Sequence, residues 1–392
     1  MIEKIEGLTE ERQMIVETAR EFTMKEVLPV ADRLDPEEGE IPMELRDKLS
    51  EMGYFGIRIP EKYGGSGLGC YEYCLVSEQL ARGWMSVASI VARGNGTLTA
   101  DLLSDGQKAE ILPKVCRGEY LGAMSLSEPD TGSDLASISC RATREPEGWK
   151  ITGNKYWCTF ADGADYILLF ARTSSIQDNK KRHLGISAFL IEKKRGQLPE
   201  GVKGSVIPKI GYFGWKTWEL AFDGLILPLD TLIGEEGQAF YALAKGLDEA
   251  RAHTAARSIG LAQGALEDAI NYAQERRQFD APISQFQDMR FKIARMATEI
   301  ECARRLLYFV CECIDSGRRC DQEASMAKYY ASEMSERVTS EALQILGGAG
   351  YTKLHAVERH WRDARLTKIF EGTSEIQLRI ISDNILGKPE IR

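Results

Sequence analysis

One loop near the C-terminus places a carboxylate where it could act as a general base. It reads Ile369-Phe370-Glu371-Gly372-Thr373-Ser374-Glu375-Ile376-Gln377. Gly372 permits a sharp change of direction, and Ser374 with Gln377 is typical of a helix cap, so Glu371 should project beside a helix N-terminus. Its apolar neighbours should exclude water, which suits proton abstraction. The loop alone leaves a second interpretation open, a solvent-exposed carboxylate that interacts with the helix dipole.

Four other segments carry more polar and aromatic side chains than a turn requires. We interpret them as candidate binding segments, because each lies at a predicted element boundary and combines hydrogen-bonding groups with glycine or an aromatic ring. They are residues 126–134, 155–159, 275–279 and 344–351.

Several common catalytic and metal-binding patterns are absent from the sequence. The four His residues form no His-x-x-x-His pair, and the nine Cys residues show no Cys-x-x-Cys spacing. No metal site is therefore expected, and the thiols should be reduced and packed as small hydrophobic residues. There is also no Gly-x-Ser-x-Gly elbow, no P-loop and no strand-borne Gly-x-Gly-x-x-Gly.

Composition and charge favour a globular enzyme. The 392 residues are 43% hydrophobic and 28% charged, which is an ordinary balance for a packed protein. The net charge of −9 repels phosphate backbones, so no nucleic-acid partner is expected. No apolar run approaches the ~20 residues of a membrane span, and the first residues lack an export pattern. We expect a cytoplasmic protein.

The sequence pattern predicts three domains in the order helices, strands, helices. Residues 1–118 contain short amphipathic stretches separated by breakers. Residues 119–231 contain β-branched and aromatic runs at 165–170 and 186–191, which predict a small β-barrel or sandwich. Residues 232–392 repeat apolar side chains every three or four positions, as the long helices of a four-helix bundle do. The expected fold class is α+β and mostly helical.

The four candidate binding segments and the Glu371 loop each contain one short motif. These five motifs are Ser127-Glu128-Pro129-x-x-Gly132-Ser133-Asp134, Trp157-x-Thr159, Arg276-x-x-Phe279, Gln344-x-x-Gly347-Gly348-x-Gly350 and Glu371-Gly372-Thr373. Together they resemble the signatures of the acyl-CoA dehydrogenase family, in order and over essentially the whole chain. The resemblance implies FAD as cofactor. It also implies α,β-dehydrogenation of an acyl-CoA thioester to the trans-2-enoyl-CoA, in fatty acid or carboxylic acid metabolism.

The resemblance assigns Glu371 as the catalytic base that takes the α proton, while the β hydrogen leaves as hydride to the flavin. The Glu371 backbone N–H matches one of two donors to the thioester carbonyl. Other positions that match substrate contacts are Ser133, Asp248, Arg251 and Gly372.

The implied cofactor contacts fall into two sets. Positions matching contacts within one subunit are Leu126, Ser127, Ser133, Trp157, Thr159, Thr373 and Glu375. Positions matching contacts to the FAD of a neighbouring subunit are Arg276, Phe279, Gln344 and Gly348. The second set implies an oligomer, and the resemblance points to a homotetramer built as a dimer of dimers. Electron-transfer flavoprotein is the implied electron acceptor.

Some members of the family carry the base at the position of Ala250, whose methyl group cannot accept a proton. Glu249 is one residue away, which turns its side chain by about 100° on a helix. Glu371 is therefore the expected base of the two positions, and Glu249 is a weak substitute.

Three positions depart from the family pattern. Phe370 replaces a common Tyr, Asp280 replaces a common Gly, and Arg93 stands where small uncharged residues usually line the acyl pocket. A buried Arg needs an anionic partner. We hypothesise that Arg93 binds a distal acid or another polar group of the acyl chain; alternatively, it points to solvent or pairs with a carboxylate of the protein.

Further alternatives remain open at this point. The same fold could act on an acyl group bound to a carrier protein, or run as an enoyl-thioester reductase. A non-catalytic flavin-binding or interaction protein is also compatible with the scaffold, although such a protein has no need for a base at Glu371.

Overall fold

Helices form the first part of the chain in the computed structural model, which describes residues 5, 7–96, 101–175 and 181–389. Thr9 begins the first helix, because its side-chain oxygen accepts a hydrogen bond from the Arg12 amide. A π-helical turn, Thr23–Val27, joins the first two helices. The helices are α1 (Glu10–Phe22), α2 (Leu28–Leu34), α3 (Met43–Glu51), α4 (Cys70–Gly83), α5 (Met85–Asn95) and α6 (Asp105–Cys116).

A mixed sheet of eight strands follows. Its path is β6-β7-β3-β2-β4-β5-β8, with β1 paired in parallel to β4. The apolar runs at 165–170 and 186–191 became β4 and β5, which pair antiparallel. The strands are β1 (Gly122–Ser125), β2 (Arg141–Glu145), β3 (Gly148–Thr159), β4 (Tyr166–Arg172), β5 (Ile186–Glu192), β6 (Val202–Val206), β7 (Thr217–Leu227) and β8 (Leu232–Ile233).

Long helices return after the sheet, as the apolar spacing predicted. They are α7 (Ala239–Lys245), α8 (Leu247–Glu275), α9 (Gln287–Asp315), α10 (Asp321–Leu346), α11 (Val357–Thr367) and α12 (Ser374–Leu386). A short hairpin of β9 (Arg277–Gln278) and β10 (Ala281–Pro282) joins α8 to α9. The predicted mostly helical α+β class is confirmed.

Helix α8 is the centre of the helical packing. It contacts α9, α10 and α11, and on its other side it contacts α4 from the first part of the chain. The close approach of α8 to α4 depends on two glycine residues. A Cβ atom at Gly260 would overlap the Glu78 carbonyl oxygen, and a Cβ atom at Gly264 would overlap the Arg82 carbonyl oxygen. The first and last helical parts therefore share one packed interface.

A buried ion pair anchors the loop that follows β1. Lys155 Nζ donates hydrogen bonds to Glu128 Oε1 at 2.9 Å and to the Leu126 carbonyl oxygen at 2.8 Å. The Lys155 side chain is 0% exposed and that of Glu128 4%. Burial alone would raise the pKa of Glu128, but Lys155 and the amides of Ser139 and Cys140 hold it below the ordinary value. The loop is thus fixed to β3 through charge.

No helix in the described part of the chain combines the length and apolarity that crossing a bilayer requires.

We predict that Glu128→Gln destabilises the protein, because the neutral amide leaves the Lys155 ammonium buried without an anion. Breaking a buried pair in this way costs about 3–5 kcal/mol, measurable as a lower free energy of unfolding in urea. Because the folded pKa of Glu128 lies below 4.5, the stabilising contribution is present above that pH and is lost as the pH falls through the folded value. The gap between wild type and variant should therefore shrink in acid.

The control is Glu119→Gln, which removes an exposed carboxylate from a surface pair with Arg117. It should leave the free energy of unfolding nearly unchanged. Equal stability of Glu128→Gln and Glu119→Gln would contradict the proposed role of the buried pair.

Candidate active site

The loop between α11 and α12 holds Glu371 in an unusual backbone conformation. Glu371 has φ 54° and Gly372 has φ 87°, both in the left-handed region, which costs a non-glycine residue about 1–3 kcal/mol. Two side chains restrain the Gly372 carbonyl oxygen: Lys328 Nζ donates to it at 2.6 Å and Gln377 Nε2 at 3.0 Å. The carboxylate is therefore presented from a fixed backbone.

The helix after this loop begins one residue earlier than the predicted cap implied. Thr373 is the N-cap, and its Oγ1 accepts a hydrogen bond from the Ile376 amide at 3.3 Å. Ser374 instead donates to Glu333 Oε1 at 2.8 Å. The prediction that Ser374 and Gln377 form the cap was wrong, because both side chains bind other parts of the loop and α10.

The Glu371 carboxylate contacts a buried cation. Arg257 Nη2, on α8, donates to Glu371 Oε1 at 3.0 Å; the Arg257 side chain is 2% exposed and that of Glu371 35%. Burial alone would lower the pKa of Arg257, but the Glu371 charge raises it above the ordinary value. The expectation of an apolar surrounding for Glu371 was thus incomplete, and Ile369 is itself half-exposed.

Arg257 has further partners on two helices. Its Nη1 donates to Ser89 Oγ on α5 at 2.8 Å, and its Nη2 donates to Thr254 Oγ1 on α8 at 3.0 Å. The guanidinium also lies over the Phe370 ring, with Cζ 4.7 Å from the ring centroid. Sequence reasoning missed Arg257, although a single charged residue in the buried run Ala255-Ala256-Arg257-Ser258-Ile259 was a visible signal.

Three aromatic rings extend in a row from the Glu371 loop into the interior, and we call Phe370, Tyr212 and Trp215 the aromatic row. The Tyr212 ring lies edge-on to Phe370 at 5.9 Å and to Trp215 at 5.2 Å. Tyr212 has φ 59°, and its amide donates to Asp363 Oδ1 at 2.6 Å. Tyr212 and Trp215 come from the segment between β6 and β7, which the sequence analysis did not single out.

Arg93 lies at the far end of this row. Its guanidinium Cζ is 5.2 Å from the Trp215 ring centroid, and it follows Ser89 by one helical turn on α5. Its Nε is buried and has no hydrogen-bond partner among the described residues. Within the described chain Arg93 pairs with no carboxylate, so the alternative in which a protein acid neutralises it finds no support there.

The segments assigned to the flavin ring meet on β3. The Tyr156 amide donates to the Ser127 carbonyl oxygen at 2.8 Å, which places the loop carrying Leu126 and Ser127 beside the strand. Trp157 lies at a register shift of β3, has φ 63° and is 56% exposed. A bulge of this kind re-aims a side chain. Thr159 Oγ1 bonds to Thr217 Oγ1 at 3.0 Å.

These residues fit a flavin. An exposed indole offers a flat apolar face for a tricyclic ring, and hydroxyl-bearing Ser127 and Thr159 nearby provide donors and acceptors for its polar edge. Ser133 lies farther along the same loop and is exposed. In the Glu371 loop, Thr373 caps α12, and Glu375 is exposed in the first turn of that helix, where hydrogen bonds from its own backbone amide and from the Thr373 side chain lower its pKa.

The residues assigned to a neighbouring subunit's cofactor are exposed. Arg276 caps the C-terminus of α8, and Phe279 has φ 49° and is 91% exposed. Gln344 lies in the last turn of α10, and Gly348 follows it in the next loop. The Phe279 ring lies edge-on to the partly exposed Phe286 ring, with 6.1 Å between the ring centroids.

The start of α8 carries the predicted substrate pair. Arg251 Nη1 donates to Asp248 Oδ1 at 2.7 Å, and burial raises the pKa of Asp248. The Glu249 carboxylate contacts the Arg58 guanidinium.

Three thiols lie together in the helical core, a feature the sequence analysis did not predict. The sulfur atoms of Cys70, Cys74 and Cys311 lie within 4.8 Å of one another, and all three residues are buried. The spacing of Cys70 and Cys74 places them on one face of α4, but nothing in the sequence indicated that α9 brings Cys311 there. Buried thiols packed in a core agree with the expected packing, yet the expectation of no metal-ligand group overlooked this cluster.

Comparison with known proteins identifies the family. Acyl-CoA dehydrogenase domain models match three segments: the N-terminal domain matches residues 9–119, the middle domain residues 123–225 and the C-terminal domain residues 237–386. These matches cover most of the chain.

Individual relatives are similar over nearly their whole length in most cases. The chain is 40% identical to (2S)-methylsuccinyl-CoA dehydrogenase of Cereibacter sphaeroides over 97% of this chain and 70% of that protein. It is 39% identical to benzylmalonyl-CoA dehydrogenase of Aromatoleum aromaticum over 96% and 98%. It is 38% identical to the caffeyl-CoA reductase-Etf complex subunit CarC of Acetobacterium woodii over 97% and 99%.

Solved structures show the same fold. Butyryl-CoA dehydrogenase from Megasphaera elsdenii superposes with a TM-score of 0.89 at 34% identity, covering 98% of this chain and 100% of that one. A glutaryl-CoA dehydrogenase from Mycobacterium smegmatis in complex with FADH2 superposes with a TM-score of 0.89 at 27% identity, covering 98% and 97%. The chain therefore belongs to the acyl-CoA dehydrogenase family of FAD-dependent oxidoreductases.

Proposed function

We propose that the protein dehydrogenates an acyl-CoA thioester to the trans-2-enoyl-CoA, with Glu371 as the general base. The observation that supports this role is the combination of a fixed backbone and a reachable carboxylate. Lys328 and Gln377 hold the Gly372 carbonyl, while the Glu371 side chain is 35% exposed. A base held in this way needs little reorganisation before it takes the α proton.

The backbone of Glu371 supports a second role. Within the described residues its N–H takes part in no backbone hydrogen bond, so it is available to the thioester carbonyl. A donor at that oxygen stabilises the negative charge that develops as the α proton leaves, which is typically worth about 3–4 kcal/mol. The hydride from the β carbon needs an acceptor, which FAD supplies when bound on the Trp157 side.

The acyl group is the part of the substrate with the most specific support. Two relatives are named for acyl groups with a second carboxylate, methylsuccinyl and benzylmalonyl. Arg93 has a buried Nε without a partner among the described residues. Both observations support the hypothesis that the acyl chain carries an acid.

We also propose that the protein forms a homotetramer and that electron-transfer flavoprotein accepts its electrons. The exposed Phe279 and Arg276 support a neighbouring subunit whose FAD they reach. The name of the Acetobacterium woodii relative includes an Etf complex, which supports electron-transfer flavoprotein as the redox partner.

The same relative favours a second candidate, reduction of an enoyl-CoA, because it is named a caffeyl-CoA reductase subunit. In the reductase direction the same residues act, and Glu371 returns to the α carbon the proton that it removes in the dehydrogenase direction. Comparing the initial rates of both directions with matched acyl- and enoyl-CoA pairs distinguishes the two.

We predict that Glu371→Gln keeps its FAD but loses rapid reduction by acyl-CoA. The amide cannot accept a proton, and a general base typically contributes about 10²–10⁴-fold. Anaerobic stopped-flow absorbance of the flavin measures this rate. The control Asp383→Asn removes another carboxylate of the same C-terminal segment and should reduce at the wild-type rate. Normal flavin reduction in Glu371→Gln would reassign the base.

We predict that Lys328→Met lowers kcat more than it raises KM, because the variant loses the hydrogen bond to the Gly372 carbonyl that positions Glu371. A displacement of the base by about 1 Å can cost about 10²-fold. Steady-state kinetics with one acyl-CoA measures both constants. An unchanged kcat would show that Gln377 alone positions the loop.

Lys328 also predicts a pH dependence of stability. Burial, opposed by the nearby Glu371 charge, lowers the pKa of Lys328 from 10.5 to about 8. Between these two values the unfolded chain binds a proton that the folded protein does not, so stability rises with pH in this window. The free energy of unfolding of wild type relative to Lys328→Met should therefore be larger at pH about 9.5 than at pH about 7. A pH-independent difference would contradict the assignment.

A further inference from the structure

Two guanidinium groups stand at the two ends of the aromatic row. Arg257 lies over Phe370 at 4.7 Å and Arg93 over Trp215 at 5.2 Å, while Tyr212 lies between the two rings. Ser89 and Arg93 share one face of α5, and Arg257 reaches this face from α8 through its bond to Ser89. The aromatic row and the two cations therefore line one region beside the base.

The positive charge of this region exceeds the negative charge that the protein supplies. Among the described residues, Glu371 is the one carboxylate in contact with either guanidinium. The other partners of Arg257, Ser89 and Thr254, are neutral hydroxyls.

Each of the two guanidinium groups also has one N–H group that makes no hydrogen bond within the described chain. Arg257 Nε and Arg93 Nε are buried and have no hydrogen-bond partner within the described chain. An unpaired buried donor on a charged group is costly, and an anion that binds there removes the cost.

The other titratable groups near the two arginines do not supply that anion. Burial first, and then the charges of Arg257 and Arg93, keep the pKa of His253 well below its ordinary value, so the ring is neutral. Burial raises the pKa of Tyr212 against the effect of both arginines. Lys328 adds a further basic group on the side of Glu371. The region is therefore cationic or neutral apart from the base.

We propose that Arg257 and Arg93 form a subsite for a second carboxylate on the acyl group, and that this carboxylate replaces Glu371 as the partner of Arg257 when substrate binds. The inference rests on the proposed function and names its substrate class, short dicarboxylic acyl-CoA thioesters of the succinyl or glutaryl type. Arg257 is then a specificity-determining residue that contacts substrate.

The short distance between Glu371 and Arg257 limits the length of the acyl group that the subsite accepts. Arg257 Nη2 is 3.0 Å from Glu371 Oε1, the oxygen that must reach the α proton. A carboxylate bound to Arg257 therefore lies only a few bonds from the α carbon. Arg93, beyond Trp215, lies where the carboxylate of a longer acid would reach it.

Because Arg257 pairs either with Glu371 or with a carboxylate of the substrate, the acyl group that binds determines whether Glu371 is free to act. With a neutral acyl group, the guanidinium keeps its ion pair with Glu371, and the base must break that pair to act. With a carboxylate-bearing acyl group, the guanidinium gains a new anion and Glu371 is released. A site that provides a charged partner rejects an analogue without the matching group by about 10²-fold or more.

The first experiment uses the wild-type holoenzyme and requires no variant. Succinyl-, methylsuccinyl- and glutaryl-CoA are each compared with the primary amide of the same distal acid, which is close to it in size and removes the charge. We expect kcat/KM to be about 10²-fold higher for the free acid in at least one pair. Equal or faster turnover of the amide in every pair would overturn the proposal.

The second experiment separates substrate binding from a structural role of Arg257. In Arg257→Met, the ratio of kcat/KM for the preferred acid to kcat/KM for butyryl-CoA should fall about 10²–10³-fold. Arg257→Lys should restore part of the preference for the acid. An equal loss with the acid and with butyryl-CoA would assign Arg257 a structural role and overturn the proposal.

Arg93→Met and Arg144→Met form a matched pair. Arg144 stacks on Trp149 at 5.7 Å in the sheet, outside the site, so its loss tests the removal of an Arg-aromatic contact alone. We expect Arg93→Met to weaken the preference for the acid and Arg144→Met to leave it unchanged. The same change in both variants would remove Arg93 from the subsite.

The failure of this inference is distinguishable from the failure of the proposed function. Reduction of the flavin by butyryl-CoA with no preference for any acid rejects the subsite and leaves the dehydrogenase assignment in place. A flavin that no acyl-CoA reduces, acid or neutral, rejects the proposed function itself.

Discussion

The left-handed backbone at Glu371 and Gly372 is the constraint on which the rest of the site depends. A glutamate does not adopt φ 54° without support, and here the support comes from α10 through Lys328 and from α12 through Gln377. Burial of an ammonium and a strained backbone are both unfavourable alone. Each is tolerated because the Lys328 donor binds the carbonyl that the strained turn exposes.

The electrostatics of the base follow from the same arrangement. The Glu371 carboxylate contacts Arg257 directly and interacts with Lys328 through its charge. It is therefore the counter-ion of a buried cationic region. When Glu371 takes a proton it becomes neutral, and Arg257 then has no anionic partner among the described residues. An acyl group that brings its own carboxylate supplies that partner, so one anion remains beside Arg257 after the proton transfer.

The sequence was sufficient for the architecture and for the sharp turn at Glu371 and Gly372, and insufficient for the contacts between distant segments. Apolar spacing predicted the long helices, and buried runs predicted β4 and β5, because both signals are local. The Glu371-Gly372 turn was equally local. The pairing of Arg257 with Glu371 was not predictable, since residues 114 positions apart meet only through the packing of α8 against α10 and α11. The cap was assigned to Ser374 rather than Thr373, because both residues suit that position and only the contact of Ser374 with Glu333 decides between them.

The proposed acyl end of the site draws on all three parts of the chain. Ser89 and Arg93 come from α5, Tyr212 and Trp215 from the segment before β7, and Arg257 from α8. Glu371 and the residues proposed to face the flavin, Ser127, Trp157 and Thr159, belong to other segments. We therefore expect a substitution at Arg93 or Trp215 to change the far end of the proposed acyl pocket without moving Glu371. Arg257 differs from both, because its guanidinium contacts Glu371 directly. In the proposed site, substrate selection and release of the base therefore act through this one side chain.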